Sequence, residues 1–107
     1  MQLIHKYPEL VIAAVFLEPS STPYEEACAS DVPTLYVWGD NITGTHWEIY
    51  ESNVRNYYEK QLAIGNKVTW LSLPKYGIFG NSHFLMLDKN NKEIFTLIID
   101  WLQKVLK

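Results

Sequence analysis

One histidine of this chain sits where a proton shuttle could work. His83 falls in the run Leu73-Pro-Lys-Tyr-Gly-Ile-Phe-Gly-Asn-Ser-His83-Phe-Leu-Met-Leu-Asp88, a Gly-containing turn between a β-like segment and an amphipathic helix. An imidazole that moves protons near neutral pH must be anchored by a rigid element and still reach a substrate, and a turn at a strand end provides both. The group on which such a base would act is missing. No serine or cysteine elsewhere in the chain stands in a nucleophile motif, so the residues describe half of an active site.

The other reactive side chains are less pointed. Asp40, in Trp38-Gly-Asp-Asn41, reads as a turn residue whose carboxylate satisfies nearby backbone N–H groups, with a substitute acid as its alternative role. His46, beside Thr45 at a helix start, reads as structural or solvated. Asp40, His46 and Asp88 have no recognisable metal-ligand spacing, and neither a metal nor another cofactor is expected. Cys28 is the lone cysteine, which excludes an intrachain disulfide and a cysteine metal cluster, and no motif around it marks a reactive thiol. Asn41-Ile42-Thr43 is a formal glycosylation sequon, a triplet frequent by chance and accompanied by no signal peptide.

These residues need a fold to hold them. The chain has 107 residues, enough for one domain, and its 48% hydrophobic content argues for a folded globule. A net charge of −3 leaves no basic footprint for nucleic acid. The longest apolar run, Leu10 to Leu17, is far shorter than a membrane span. The opening Met-Gln-Leu-Ile-His-Lys-Tyr-Pro lacks the apolar core of a signal peptide, and the compartment stays open.

Leu10-Val-Ile-Ala-Ala-Val-Phe-Leu17 is continuously apolar, as in a parallel strand buried on both faces, and Glu18-Pro19 ends it. Thr34 to Trp38 forms a second buried strand after Pro33, and Val68 to Leu73 a third. Between the second and third, Trp47, Tyr50, Val54, Tyr57, Tyr58 and Leu62 recur at helical spacing, predicting a helix from about His46 to Ile64 that stops at Gly65-Asn66. Its aromatic face reads as packing. Ile94, Leu97, Ile98, Trp101, Leu102 and Val105 predict a last helix from about Asn91 to Val105, with Asn90 and Glu93 as a capping box. Alternation of this kind implies an α/β fold, a three-stranded parallel sheet with flanking helices. The first strand is then as apolar as a central strand, yet only nine residues precede it, among which His5-Lys6-Tyr7-Pro8 looks like the end of a helix. Such an edge invites pairing with another chain.

The chain resembles the C-terminal portion of an α/β-hydrolase, covering its last three strands and their helices. Pro33-Thr-Leu-Tyr-Val-Trp-Gly-Asp40 is similar to the seventh-strand signature of that fold, and Leu73 to His83 resembles the histidine loop after the eighth strand. The run from Asp88 to Trp101 resembles the helix that follows. Leu17-Glu18-Pro19 together with Gly80-Asn-Ser-His83 is similar to a subgroup of serine esterases whose acid is a Glu after the sixth strand.

The resemblance implies that His83 is the general base and Glu18 the acid that fixes its tautomer. In the commoner arrangement the acid stands where this chain has Ile42, which cannot accept a hydrogen bond, and the departure favours Glu18. It implies residues 1–107 as a single partial domain without the Gly-x-Ser-x-Gly nucleophile turn, which would lie just ahead of Met1. Trp47 could border an acyl pocket. The expected function is therefore the C-terminal part of a serine hydrolase, a carboxylic ester hydrolase inactive by itself, whose small-molecule ester substrate requires completion by an N-terminal portion. The alternative is a non-catalytic remnant that binds a complementing chain, or itself, through strand 10–17. No membrane or nucleic-acid partner is expected.

Overall fold

The computed structural model describes residues 4, 6–22 and 31–106. Three parallel strands, β1 (Ala14–Leu17), β2 (Thr34–Trp38) and β3 (Val68–Ser72), form one sheet in the order β1-β2-β3. Helix α1 (Trp47–Ala63) connects β2 to β3, and α2 (Asn91–Val105) closes the described chain after the histidine turn. This is the α/β architecture that the alternating pattern predicts.

β2 is buried along its whole length because each of its faces meets a helix. Leu35 and Val37 point to the side of α2, where they pack with Leu71, Leu73, Ile94 and Ile98. Tyr36 and Trp38 point to the side of α1, into a cluster with Ile42 and Val54. The alternation is the two-residue period of a strand. On the α1 side the rings form a continuous layer: Phe16 stacks on Tyr36 at 5.5 Å, and Trp38 on Trp70 at 6.0 Å. The Arg55 guanidinium caps the Trp70 ring at 4.1 Å, a cation–π contact.

Three expectations are corrected. β1 begins at Ala14 and not at Leu10; Pro8–Leu10 is a 3-10 turn, and Leu10 and Ile12 are exposed. The register explains the late start, since Ala14 pairs with Thr34, the first residue of β2, and donates its N–H to Pro33 O, and among the described residues no earlier pair continues the ladder. β1 is accordingly half-buried, not enclosed on both faces. On α1, Leu62 faces solvent, while Gln61 turns inward and its Oε1 accepts a 2.7 Å hydrogen bond from the Tyr36 hydroxyl. A buried hydroxyl needs a partner, and an apolar side chain there would deny it one. Asn90 makes no side-chain cap for α2, because its amide is engaged with Asn81.

The other boundaries agree closely with the sequence pattern. Gly65, at φ +87°, ends α1 with its N–H bonded to Leu62 O while Asn66 N–H reaches Gln61 O, the paired closure that glycine permits. The α2 stripe packs as its spacing predicts, with Ile94 and Ile98 buried and Leu97, Trp101 and Leu102 against the same core. Ile4 and Lys6 are helical; His5, Cys28 and most of the polar stretch around it lie outside the described residues.

Leu73 joins β3 to the histidine turn and has no exposed surface. Leu73→Ala is expected to destabilise the fold by about 2–5 kcal/mol, from lost transfer energy plus a cavity, as read by the midpoint of urea unfolding.

Candidate active site

Glu18 follows β1 directly, and its backbone N–H extends the parallel ladder by one bond to Val37 O at 3.0 Å. Its φ of +46° is left-handed, a conformation that costs a non-glycine residue about 1–2 kcal/mol. Its side chain is fully buried. Both carboxylate oxygens find partners: Gly39 N–H donates to Oε2 at 3.0 Å, and His83 Nδ1 lies 2.7 Å from Oε1. Burial pushes the Glu18 carboxyl above its ordinary value, and the bonds from His83 and Gly39 oppose this without cancelling it. Gly39 leaves little room for a side chain, since a Cβ there would sit 3.1 Å from Glu18 Oε2 and 3.1 Å from Asn81 Cβ, and these neighbours would have to give by a few tenths of an ångström.

His83 is held by a loop that is itself tied down by carboxylates. Asp40 accepts from Gly80 N–H at 2.7 Å and from Asn81 N–H at 2.9 Å. It is thus a turn carboxylate, as its setting suggests, but the turn it satisfies lies forty residues along the chain. Gly80, at φ +81°, supplies the backbone geometry that presents these N–H groups. Asp88 closes the loop from the other side, accepting from Ser82 Oγ at 2.6 Å, Ser82 N–H at 3.0 Å and Asn81 Nδ2 at 2.9 Å. The Asn81 side chain is buried among Asp88, Asn90 and Gly39, and the Asn81 backbone carbonyl accepts from Asn41 Nδ2. For Asp40, partial burial works against ionisation, but the Gly80 and Asn81 N–H groups outweigh it and hold the carboxyl below its usual range. For Asp88 burial is likewise outweighed, here by the Ser82 hydroxyl and the Asn81 amide.

Trp47, the first residue of α1, stacks flat on the imidazole of His83, with ring centroids 4.3 Å apart and planes 18° from parallel. Its indole is in turn met edge-on by Tyr50 at 5.2 Å. His46 is exposed and touches Trp47 and Tyr50 but not the Glu18–His83 pair. Ile42 is buried in the α1-side core. Among the described residues no group of three His, Cys, Asp or Glu side chains is placed to hold a metal ion, and no helix is long and apolar enough to cross a membrane.

Glu18 and His83, sixty-five residues apart, are therefore brought into contact, and Asp40 and Asp88 act as braces for the loop between them. Sequence reasoning gives no role to Gly39 or to Asn81, which it names only within the Gly80-Asn-Ser-His83 motif, and misses the stack of Trp47 on His83. Gly39 carried a signal in the strand-ending Trp-Gly-Asp; the other two depend on contacts that no local spacing encodes. Chemically, an ionised Glu18 accepts the hydrogen of Nδ1, so Nε2 keeps its lone pair for a proton. The histidine side chain is 21% exposed and can be reached from outside.

The three-stranded parallel sheet with helices on both faces is an α/β architecture, and its likeness to a solved structure supports an esterase-like hydrolase fold. A solved structure described as that of a novel bacterial esterase superposes on the chain with a TM-score of 0.86 at 28% sequence identity. The alignment covers 99% of this chain and 34% of that one, so the chain spans about a third of the length of the protein it matches. No family model matches the chain, and no curated protein does.

The braces and the buried acid respond oppositely to pH. Asp40 and Asp88, with folded values below the ordinary 3.8, contribute stability in full above 3.8 and lose it as pH falls through their lower folded values. Glu18, raised from 4.5, contributes below 4.5 and loses that contribution as pH rises through its folded value. Stability measured by urea unfolding is expected to drop below about pH 4, and Asp88→Asn to flatten that drop while lowering stability at neutral pH.

Proposed function

We propose that this chain is the part of a serine hydrolase acting on carboxylic esters that carries the base and the acid of the triad, and that the nucleophile is supplied by other sequence. The observation that carries this reading is the 2.7 Å contact between His83 Nδ1 and Glu18 Oε1 at the C-terminal edge of a parallel sheet. The likeness to an esterase supports it, as does the cost borne at Glu18, where one residue combines a left-handed backbone with a buried carboxylate. Such a position persists when the surroundings over-determine it, and such positions cluster at functional sites. The residues 1–107 are read as one partial domain, in the subgroup with a Glu acid after the sixth strand and a Gly-Asn-Ser-His loop.

In this reading His83 Nε2 takes the proton of a serine hydroxyl as that oxygen attacks the ester carbon. It returns the proton to the departing alcohol, and the same exchange with water then releases the acid. Glu18 holds the tautomer and stabilises the imidazolium. Nucleophile and oxyanion hole each supply orders of magnitude in rate, so the chain alone is expected to turn over no activated ester above background. Turnover by the isolated chain that disappears in His83→Ala would contradict this.

A second reading, a non-catalytic module that self-associates or binds through the β1 edge, is favoured by one observation. Between Leu17, at the end of β1, and α2 lies an open, mainly apolar groove of about 430 Å³, whose lining includes Leu85, Met86, Ile94, Phe95 and Ile98. Co-expression with a hydrolase portion bearing a Gly-x-Ser-x-Gly turn separates the two. The hydrolase reading expects ester turnover in the assembled protein, lost in His83→Ala and reduced about 10³–10⁴-fold in kcat by Glu18→Gln. Assembly without turnover favours the binding module.

A further inference from the structure

We infer that Trp47 is a positioning residue for His83, fixing the plane of the imidazole by stacking and presenting its indole face to the ring that takes up the proton during the reaction. The inference rests on the hydrolase reading for its role in the reaction, but the stack itself stands on geometry alone. An imidazole bonded only through Nδ1 can still swing about that bond, because a single hydrogen bond sets a direction and not a plane. Glu18 supplies the direction at 2.7 Å. Trp47 supplies the plane, with rings 4.3 Å apart and tilted only 18°.

Trp47 is well placed to be rigid. It opens α1, and Tyr50, one helical turn on, holds it edge-to-face at 5.2 Å. Thr45 Oγ1 accepts its backbone N–H at 3.2 Å while donating to Ile42 O at 2.7 Å, which ties the helix start to the loop after β2. The imidazole is thus clamped between two elements that leave the same strand-end region: Glu18 through β1, and Trp47 through α1. The charged and titratable groups facing it are Glu18 by contact, Asp88 across the loop, and His46 through Trp47.

The indole face is electron-rich and attracts a cation placed over it. When His83 accepts a proton, the positive charge that develops lies against that face. The stack would then be stronger in the protonated state than in the resting one, which is the condition for an interaction to speed a step and not merely to bind. At the strength of a partly exposed cation–π contact, its loss lowers kcat roughly 3- to 30-fold, with KM changed less.

The test uses the full chain first. In wild-type protein, the ring protons of His83 are expected upfield in the NMR spectrum from the indole ring current, and the Nδ1 proton is expected at low field, protected from exchange. Trp47→Leu removes the upfield shift and broadens the Nδ1 signal, whereas Trp47→Phe, which keeps a smaller aromatic face, restores both in part. Circular dichroism verifies that the variants fold, and Trp47→Met replaces the leucine variant if that one does not. Absence of the upfield shift in wild type, or an Nδ1 signal unchanged in a folded Trp47→Leu, overturns the inference. In the assembled hydrolase, kcat is expected to fall in the order Trp, Phe, Leu, and equal kcat for all three overturns the catalytic role. A wild-type chain with the ring shift whose assembly hydrolyses no ester counts against the hydrolase reading and leaves the stack supported.

Discussion

A carboxylate shut away from water must find every hydrogen bond inside the fold, and much of this structure is arranged around that demand at Glu18. Each oxygen accepts one bond, from Gly39 N–H and from the His83 ring. The first is available only because β1 and β2 are paired so that Glu18 N–H meets Val37 O, which brings the side chain over the end of β2. The second is available only because the loop after β3 is pulled back across the sheet edge. An unpaired buried carboxylate is far costlier than either strain or burial taken singly, so these constraints are linked. Moving β1 by one residue or loosening the loop would each strand the same charge, and a side chain at Gly39 would crowd it.

The remaining acids divide the work differently. Asp40 and Asp88 stay partly solvated and are surrounded by N–H and O–H donors, which favours their ionised forms. They brace the backbone from Gly80 to Ser82 and leave the ring of His83 to Glu18. Asn81 links the two sets: it is buried beneath Gly39, bonded to Asp88 and Asn90 through its side chain, and bonded to Asp40 and Asn41 through its backbone. This also accounts for the missing cap on α2. Asn90 sits at the right place in sequence to cap the helix, but its amide is worth more to a buried partner than to exposed N–H groups.

How much of this was legible depended on whether the cause was local. β2, β3 and α2 could be read almost to the residue, since continuous apolar runs and a helical stripe are local signals that tertiary packing reinforced. The start of β1 could not, because the apolar run begins before its partner strand does, and pairing, not composition, decides where a ladder begins. Gln61 was hidden for a similar reason: its inward position answers to the Tyr36 hydroxyl on another element. Glu18 and His83 were named from motif likeness, and their contact follows from parallel strands presenting their ends together. Asp40 was recognised by type but not by reach. The stack of Trp47 on His83 has no local signal: the spacing reads Trp47 as part of an aromatic packing face, and the family resemblance as a candidate border of an acyl pocket, but neither points to the imidazole.

The pair of side chains is supported from within the described residues, and this bears on how a three-stranded sheet can hold it. The supports come from the end of β1, the end of β2, the start of α1 and the loop before α2, all of which lie on the β2–β3 side of β1 or at its tip. The outer edge of β1 and the groove beside it contribute none of the bonds that orient Glu18 or His83. Whatever covers that edge therefore acts on the pair mainly through the stability of β1, whose four residues are only half-buried. An edge strand with one neighbour has half its backbone groups facing outward, and Glu18 sits at the end of that strand. Orientation of the histidine is thus a property of this chain's own contacts, whereas the persistence of that orientation is coupled to what lies against β1.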